Sequence, residues 1–73
     1  MDLSSEKERW ALWTVQARRF AKRENYTDAV ARMALVKRSI ESALARVTDG
    51  ADRKELEVLL ARAAERLEEL RAR

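Results

Sequence analysis

The chain contains no cysteine, no histidine and no proline, and only one glycine. Without cysteine no disulfide can stabilise it, and cysteine usage gives no information on the redox compartment. Cysteine and histidine are also the usual protein ligands of zinc and the transition metals. We therefore expect neither a metal centre nor any other cofactor.

Catalysis has little support in the residue types that are present. Histidine is the commonest general base and cysteine the most reactive nucleophile, and both are missing. No glycine-rich phosphate loop occurs. The cluster Glu65, Glu68 and Glu69 is predicted on the outer side of a helix, whereas di-metal bundles use inward glutamates paired with histidine. The sequence therefore predicts a protein without enzymatic activity.

Long apolar segments are also missing. The longest run without a charged residue, 10–17, is far shorter than the roughly 20 residues that cross a bilayer. The opening segment MDLSSEKER is polar and acidic, whereas a signal peptide is basic and then apolar. We therefore expect a soluble chain with no membrane partner, and the localisation is left open.

The residues that the chain does contain favour helices. Apolar residues make up 47% and charged residues 40%, and alanine, leucine, glutamate and arginine are abundant. These are strong helix formers, so the composition predicts an all-α protein. At 73 residues there is room for one small core. A net charge of +3, from 16 basic and 13 acidic residues, indicates a mixed surface more than a polycation.

Start and stop signals predict three helices, over about residues 5–24, 28–48 and 53–72. Short connections between helices of similar length are typical of antiparallel neighbours. We therefore expect a single domain over residues 1–73, an antiparallel up-down-up three-helix bundle.

Each predicted helix start has a candidate cap. Ser5, in the capping box SSEKE, is the expected cap of helix 1, and Thr27 that of helix 2. Asp52, three residues before a glutamate, is the expected cap of helix 3. Gly50 is the only glycine and lies in the second break, where a helix end commonly needs a left-handed residue.

Helix 3 is apolar on one side only. The stripe, at spacings of three and four, comprises Leu56, Leu59, Leu60, Ala63, Leu67 and Leu70. Charged residues fill most of the remainder, and only Val58 and Ala61 are apolar away from the stripe. This pattern predicts a supporting helix with a single buried face.

Helix 2 has a similar stripe but a different outer side. The stripe comprises Met33, Val36, Ile40, Leu44 and Val47. The side opposite comprises Ala31, Ala34, Leu35, Arg38, Ser42 and Ala45. Small residues around one leucine predict a flat surface that another chain can approach closely.

Helix 1 repeats this division. The inner face comprises Leu3, Trp10, Trp13, Ala17, Phe20 and Ala21. Leu12 and Val15 point away from this face. Trp13 and Phe20 lie at its edge, so each of these aromatics is either a core residue or an interface residue. A single exposed apolar residue is normal. The outer sides of helices 1 and 2 have few charged residues, whereas that of helix 3 has many. This difference indicates a contiguous apolar patch of the kind that marks partner sites.

The whole sequence resembles a de novo designed three-helix miniprotein binder in style, without a specific motif. The resemblance lies in the capping boxes SSEKE and DRKE, the loop TDGAD and the repetitive helix ELEVLLARAAERLEELRAR. Designs combine caps, good helix formers, alternating surface charge and short loops. The resemblance implies that two helices face a chosen protein target and that the third supports them. A small natural helical domain is the alternative.

We therefore expect a protein-binding module that uses the outer faces of helices 1 and 2. The predicted contact residues are Leu12, Trp13, Val15, Gln16, Arg19, Arg23, Ala31, Ala34, Leu35, Arg38 and Ser42. The partner is expected to be a protein, whose identity the sequence does not contain, and the free chain is expected to be a monomer.

Two other interpretations stay open. A self-associating helical bundle would use the same faces. A nucleic-acid-binding domain would use the basic cluster Arg18, Arg19, Lys22 and Arg23. Nucleic acid is disfavoured as a partner because acidic residues interrupt the basic surface, and because cations also suit the negative end of a helix dipole.

Overall fold

The computed structural model describes residues 2–73, which form three α-helices: α1 (Ser4–Lys22), α2 (Tyr26–Arg46) and α3 (Gly50–Arg71). Three residues connect each helix to the next, and the described part of the chain contains no strand. The expected all-α three-helix bundle is confirmed.

The central helix is α2, which packs along both of its neighbours, whereas α1 and α3 make only slight contact with each other. The molecule measures 39 × 21 × 14 Å, so it is half again as wide as it is thick. Three helices in mutual contact, at axis separations of about 8–10 Å, would have nearly equal width and thickness. The bundle is therefore open along the side where α1 and α3 face each other.

The core consists of the apolar stripes of the three helices meeting along α2. The largest fully buried side chains are Ile40 and Leu56. The other buried residues are Leu3, Trp10, Ala17, Ala29, Met33, Val36, Ala43, Val47, Ala63, Leu67 and Leu70. Three predicted stripe residues, Leu44, Leu59 and Leu60, are half-buried at the margin of this cluster. Burial of each large side chain contributes about 1.5–3 kcal/mol, so the stripes provide most of the stability.

Trp10 attaches α1 to α2. Its side chain is buried, and its indole Nε1–H donates to Ser39 Oγ at 2.7 Å. The indole N–H of a buried tryptophan needs an acceptor, and Ser39 lies at the edge of the α2 stripe where it meets that need. One side chain thus combines apolar packing with a directional bond between the two helices.

The caps of the first two helices differ from the predicted ones. Asp2 Oδ1 accepts from both Ser4 N, at 2.9 Å, and Ser4 Oγ, at 2.6 Å. The predicted cap Ser5 is wrong because α1 begins one residue earlier and Ser5 lies within its first turn. At α2 the cap is Asn25, whose Oδ1 accepts from Asp28 N at 3.4 Å. The predicted cap Thr27 is therefore also wrong.

The third helix begins before the predicted cap as well. Asp49 Oδ1 accepts from Ala51 N at 2.9 Å and from Asp52 N at 3.0 Å, so Asp49 and not Asp52 caps α3. One aspartate oxygen satisfies two free amides of the first turn, which allows the helix to start at Gly50. The predicted left-handed conformation of Gly50 is therefore wrong: no glycine of the described chain has a positive φ.

The left-handed residue lies instead at the end of α1, where Glu24 has a φ of 60°. Asn25 N donates to Phe20 O at 2.9 Å and Glu24 N to Ala21 O at 3.0 Å, the two bonds of a Schellman motif. A side chain in this conformation costs about 1–2 kcal/mol relative to glycine. The helix ends here because the motif satisfies its last carbonyls, although the residue type is unfavourable.

Candidate protein interface

Four large apolar side chains are exposed among residues 2–73. Leu12 is 55% exposed, Val15 and Leu35 are each 39% exposed, and Val58 is 52% exposed. Val58 lies on the charged outer side of α3. The exposure of the other three agrees with the expected outward share of α1 and α2.

A shallow groove runs along the outer side of α2 where that side meets α1. Its volume is about 580 Å³. It is lined by Phe20, Asp28, Ala31, Arg32, Ala34, Leu35 and Arg38. Four of the predicted contact residues are therefore brought together here with Phe20, which reaches across from α1. We call this groove and the α1 residues beside it the α1–α2 face.

The α1 part of this face follows from helical spacing. Phe20 lies on the flank of α1 that borders α2, and Trp13 and Gln16, seven and four residues earlier, lie on the same flank. Leu12 is four residues before Gln16 and lies further from α2. Arg19 and Arg23, seven and eleven residues after Leu12, lie on the same side of α1 as Leu12. Leu12 and the two arginines are exposed, so they form the outer margin of the face.

Trp13 and Phe20 have both a core and a surface role. Each is half-buried and packs against the core cluster. The Arg9 guanidinium lies 5.9 Å from the centroid of the Trp13 ring, within cation–π distance. Each aromatic therefore supports the face from below and presents one edge to solvent.

Gln16 carries the one buried side-chain polar atom of the described chain that lacks a hydrogen-bond partner, its Oε1. An unsatisfied buried carbonyl costs about 1–3 kcal/mol. The residue as a whole is only half-buried, so a change of its outer torsions can turn the amide toward solvent or toward a bound partner. This is the polar group of the face with most to gain from a donor outside the chain.

Val15 lies apart from the other predicted contact residues. It lines the groove between α1 and α3, together with Thr14 and Leu59, and so it is on the opposite flank of α1 from Phe20. Val15 and Leu12 are three residues apart on the outer side of α1, but Val15 is turned toward α3 and Leu12 is not. The predicted set therefore covers one face and the margin of another groove.

The polar members of the predicted set are free to contact a partner. Arg19, Arg23 and Arg38 are exposed, and the ion pairs found within residues 2–73 involve none of them. Ser42 is exposed on the same outer side of α2, one turn beyond Arg38. The face thus offers cations and a hydroxyl around an apolar centre.

The basic cluster expected of a nucleic-acid interface is divided by the fold. Arg18 and Lys22 line the space between α1 and α3, whereas Arg19 and Arg23 belong to the other margin of α1. Sequence reasoning did not find the groove between α1 and α3, because spacing along one helix does not show how far apart two helices lie. It also missed Ser39, although a buried tryptophan at Trp10 signals that an acceptor must be near.

No family model matches the chain, and the comparisons found no similar curated protein and no similar solved structure. Within the described residues no helix combines the length and the apolar character needed to cross a bilayer. Nor do three or more acidic side chains of residues 2–73 converge as they would to hold a metal ion.

Proposed function

We propose that the chain is a protein-binding module that docks on a folded partner through the α1–α2 face and has no catalytic activity of its own. The observation that carries the proposal is the exposure of Leu35 in a groove lined mainly by small and apolar side chains, with Leu12 exposed on the outer side of the neighbouring α1. The corresponding side of α3 is charged. Exposed apolar surface concentrated in one place is typical of partner sites.

The area of the face suits a stable complex. A standard interface buries about 800 Å² on each partner, which is roughly a sixth of the 5131 Å² accessible surface of this chain. Two adjacent helices supply such an area without rearrangement. Since the backbone of the face is helical and attached to a core, little conformational freedom is lost on binding, which favours affinity.

The side chains of the face have different roles in recognition. Leu12 and Leu35 are the apolar anchors, and the exposed edge of Trp13 extends the contact between them. Arg19 and Arg38 pair with carboxylates or carbonyls at the rim, where charges affect specificity and association rate more than affinity.

Other members of the face act through size and hydrogen bonding. Ala31, Ala34 and Ser42 allow a partner's backbone to approach closely. Gln16 gains the hydrogen bond that it lacks in the free chain. Arg23 adds a further cation at the margin.

The proposal includes a designed origin, in which α1 and α2 face a chosen target and α3 supports them. The short connections and the regular α3 support it. The capping boxes that contributed to the resemblance are not the caps of the structure: Asn25 and Asp49 cap α2 and α3, and Leu3, at the N-cap position of α1, provides no side-chain cap. The resemblance therefore rests on the helices and on the difference between their outer sides.

The test uses Leu35→Glu and Leu12→Glu as baits beside the unchanged chain, with Val58→Glu as the matched control. Val58 is as exposed as Leu12 but lies on α3. We expect a protein that binds the unchanged chain saturably to lose at least roughly tenfold in affinity, or 1.4 kcal/mol, with either face variant and little with Val58→Glu. Substitutions at these exposed positions should leave the unfolding midpoint nearly unchanged.

Three outcomes would overturn the proposal. If Leu35→Glu strongly destabilises the chain, Leu35 belongs to the core. If sedimentation shows concentration-dependent association that both face variants abolish, the face joins copies of this chain. If the only partner is a nucleic acid whose affinity falls steeply with salt, the basic residues and not the apolar anchors are the site.

A further inference from the structure

The open side of the bundle forms a second surface that the α1–α2 face does not include. Two adjoining cavities of about 550 and 230 Å³ lie between α1 and α3 and share Thr14, Arg18 and Arg66 in their walls. Met33 of α2 closes the bottom of both. Together they form one continuous channel, which we call the α1–α3 groove.

The α1–α3 groove carries the positive charge of the molecule. Six cationic side chains and two anionic ones line it, an excess of four, whereas the whole chain has a net charge of +3. The cations are Lys7, Arg18, Lys22, Arg62, Arg66 and Arg73. The remainder of the surface is therefore close to neutral, and the excess is confined to this groove.

Most of these cations form no ion pair with another of the described residues. Among residues 2–73 the only ion pair across the groove joins Lys7 Nζ to Glu55 Oε1, at 2.7 Å. Arg18, Arg62 and Arg66 form no ion pair, although acidic residues are frequent on α3. Cations from both helices thus line the groove without acidic partners.

The centre of the α1–α3 groove is apolar. Val15 is exposed on the α1 wall and Leu59 is half-buried on the α3 wall, with Thr14 between the cationic positions. Along α1 the groove extends from Lys7 to Lys22, about 24 Å at 1.5 Å per residue. A groove of this length, with an apolar centre and cations on both sides, matches a helix that has one apolar stripe and acidic flanks.

We propose that the α1–α3 groove binds an acidic amphipathic helix of a partner protein. This helix would lie between α1 and α3, opposite α2, and complete a four-helix bundle. The proposal does not depend on the function of the α1–α2 face. A second copy of this chain is disfavoured because it would place one cationic groove against another. A nucleic acid strand is disfavoured because the aromatic surface in the groove is small: Trp10 is buried, and Tyr26 is half-buried with the Arg73 guanidinium 5.9 Å from its ring centroid.

The probe is a fluorescein-labelled peptide of about 18 residues, roughly 27 Å as a helix, with leucine at spacings of three and four and glutamate elsewhere. The same peptide with lysine in place of glutamate is the first control. We expect the full chain to bind the acidic peptide and not the basic one, with affinity that decreases as salt is added. Circular dichroism should show the acidic peptide gaining helix content on binding.

The protein variants locate the site. Arg18→Glu with Arg66→Glu reverses charge inside the groove, and Arg19→Glu with Lys54→Glu makes the same change of charge on exposed residues outside it. We expect at least a tenfold loss of affinity for the first pair and less than a threefold loss for the second. Val15→Ser, which removes apolar contact without altering charge, should weaken binding about threefold while the chain stays folded.

Several results would overturn the proposal. Equal losses for the two charge-reversal pairs would mean non-specific attraction. Equal binding of a single-stranded oligonucleotide, with no gain of peptide helix, would mean a phosphate-binding surface. If Arg18→Glu with Arg66→Glu does not fold, the milder pair Arg18→Gln with Arg66→Gln must still weaken peptide binding more than Arg19→Gln with Lys54→Gln.

Discussion

On one flank α1 meets α2 through Trp10, which is 4% exposed and whose indole donates a hydrogen bond to Ser39. On the other flank it meets α3 through the Lys7–Glu55 ion pair, between side chains that are 40% and 52% exposed. Deep apolar contact contributes several kcal/mol, whereas solvent screens an exposed ion pair and leaves it a small contribution. The comparison shows that α1 and α3 are held in place by α2 and hardly at all by each other.

This difference explains why the molecule has two distinct free surfaces. Where α1 meets α2, the inner side chains of both helices pack together. The apolar residues that stay exposed there, such as Leu12 of α1 and Leu35 of α2, lie outside this packing. Near α3 the contact is slight, so the cations Arg18 and Arg66 line an open groove. The first surface is the one that we propose for a folded partner, and the second is the one that we propose for a single acidic helix.

The largest expected effect comes from breaking the α1–α2 flank at its centre. Trp10→Ala should lower the free energy of unfolding by about 3–5 kcal/mol, because a buried aromatic is lost and a cavity remains. Leu12→Ala, on the same helix but exposed, should change it by less than about 0.5 kcal/mol. Urea unfolding followed by circular dichroism measures both. Similar losses for the two variants would mean that α1 is not anchored as the structure indicates.

A smaller effect should follow from removing only the hydrogen bond on that flank. Ser39→Ala leaves the buried Trp10 indole N–H without an acceptor, which should destabilise the fold by about 1–3 kcal/mol. Ser42→Ala is the matched control, since Ser42 is exposed on the same helix. Urea midpoints and a change in the indole N–H proton shift report the result. An unchanged shift would show that Ser39 does not accept this bond in solution.

The two connections between helices sharpen the comparison further. Glu24→Gly should stabilise the chain by about 0.5–1 kcal/mol, because glycine adopts the left-handed conformation without strain. Gly50→Ala should stabilise it by up to about 0.5 kcal/mol, because a Cβ at Gly50 meets no atom within 4 Å and alanine restricts the unfolded chain. Thermal unfolding of each variant and of the pair checks this. Destabilisation by Gly50→Ala would contradict a helical conformation at that residue.

The smallest effect is expected at the α1–α3 flank. The hydrogen bond to Glu55, reinforced by its charge, raises the pKa of Lys7, and desolvation opposes this. Because the raised value belongs to the folded state, the stabilising contribution is complete below the ordinary lysine pKa of 10.5 and is lost as the pH rises through the folded value.

NMR titration of the Lys7 ammonium group tests this contribution. The pKa of Lys7 should decrease in the Glu55→Gln variant, while the urea midpoint at neutral pH hardly moves. A large change of midpoint would mean that α1 and α3 are coupled far more strongly than their contact indicates.

Much of the fold could be predicted because the signals are local. The stripes of α2 and α3 follow from spacings of three and four, and Ile40 and Leu56 are buried as those spacings require. The caps were less predictable, since several neighbouring Ser, Asn, Asp and Thr residues can all cap a helix. In the structure Asp49, one residue before Gly50, caps α3, so the only glycine of the chain lies in a helix while Glu24 takes the left-handed position.

The candidate surfaces could be predicted only in part. Exposure of Leu12 and Leu35 follows from their place opposite the stripes of their own helices. The position of Val15 does not, because it depends on which flank of α1 borders α3. The charge of the α1–α3 groove was hidden for the same reason: Arg18 and Arg66 are far apart in the chain, and each has the spacing of an ordinary surface residue.

By itself the sequence determined that this chain forms three helices, which sides of them are buried, and that α1 and α2 have apolar residues to spare, since each of these depends on the periodicity of a single helix. Tertiary structure alone decided that α2 lies between the other two, that α1 and α3 stay apart, and which of their side chains share a surface. The reason is physical. Helix spacing sets a direction for each side chain around its own axis, whereas the distance and rotation between two axes depend on how the side chains of both helices pack together.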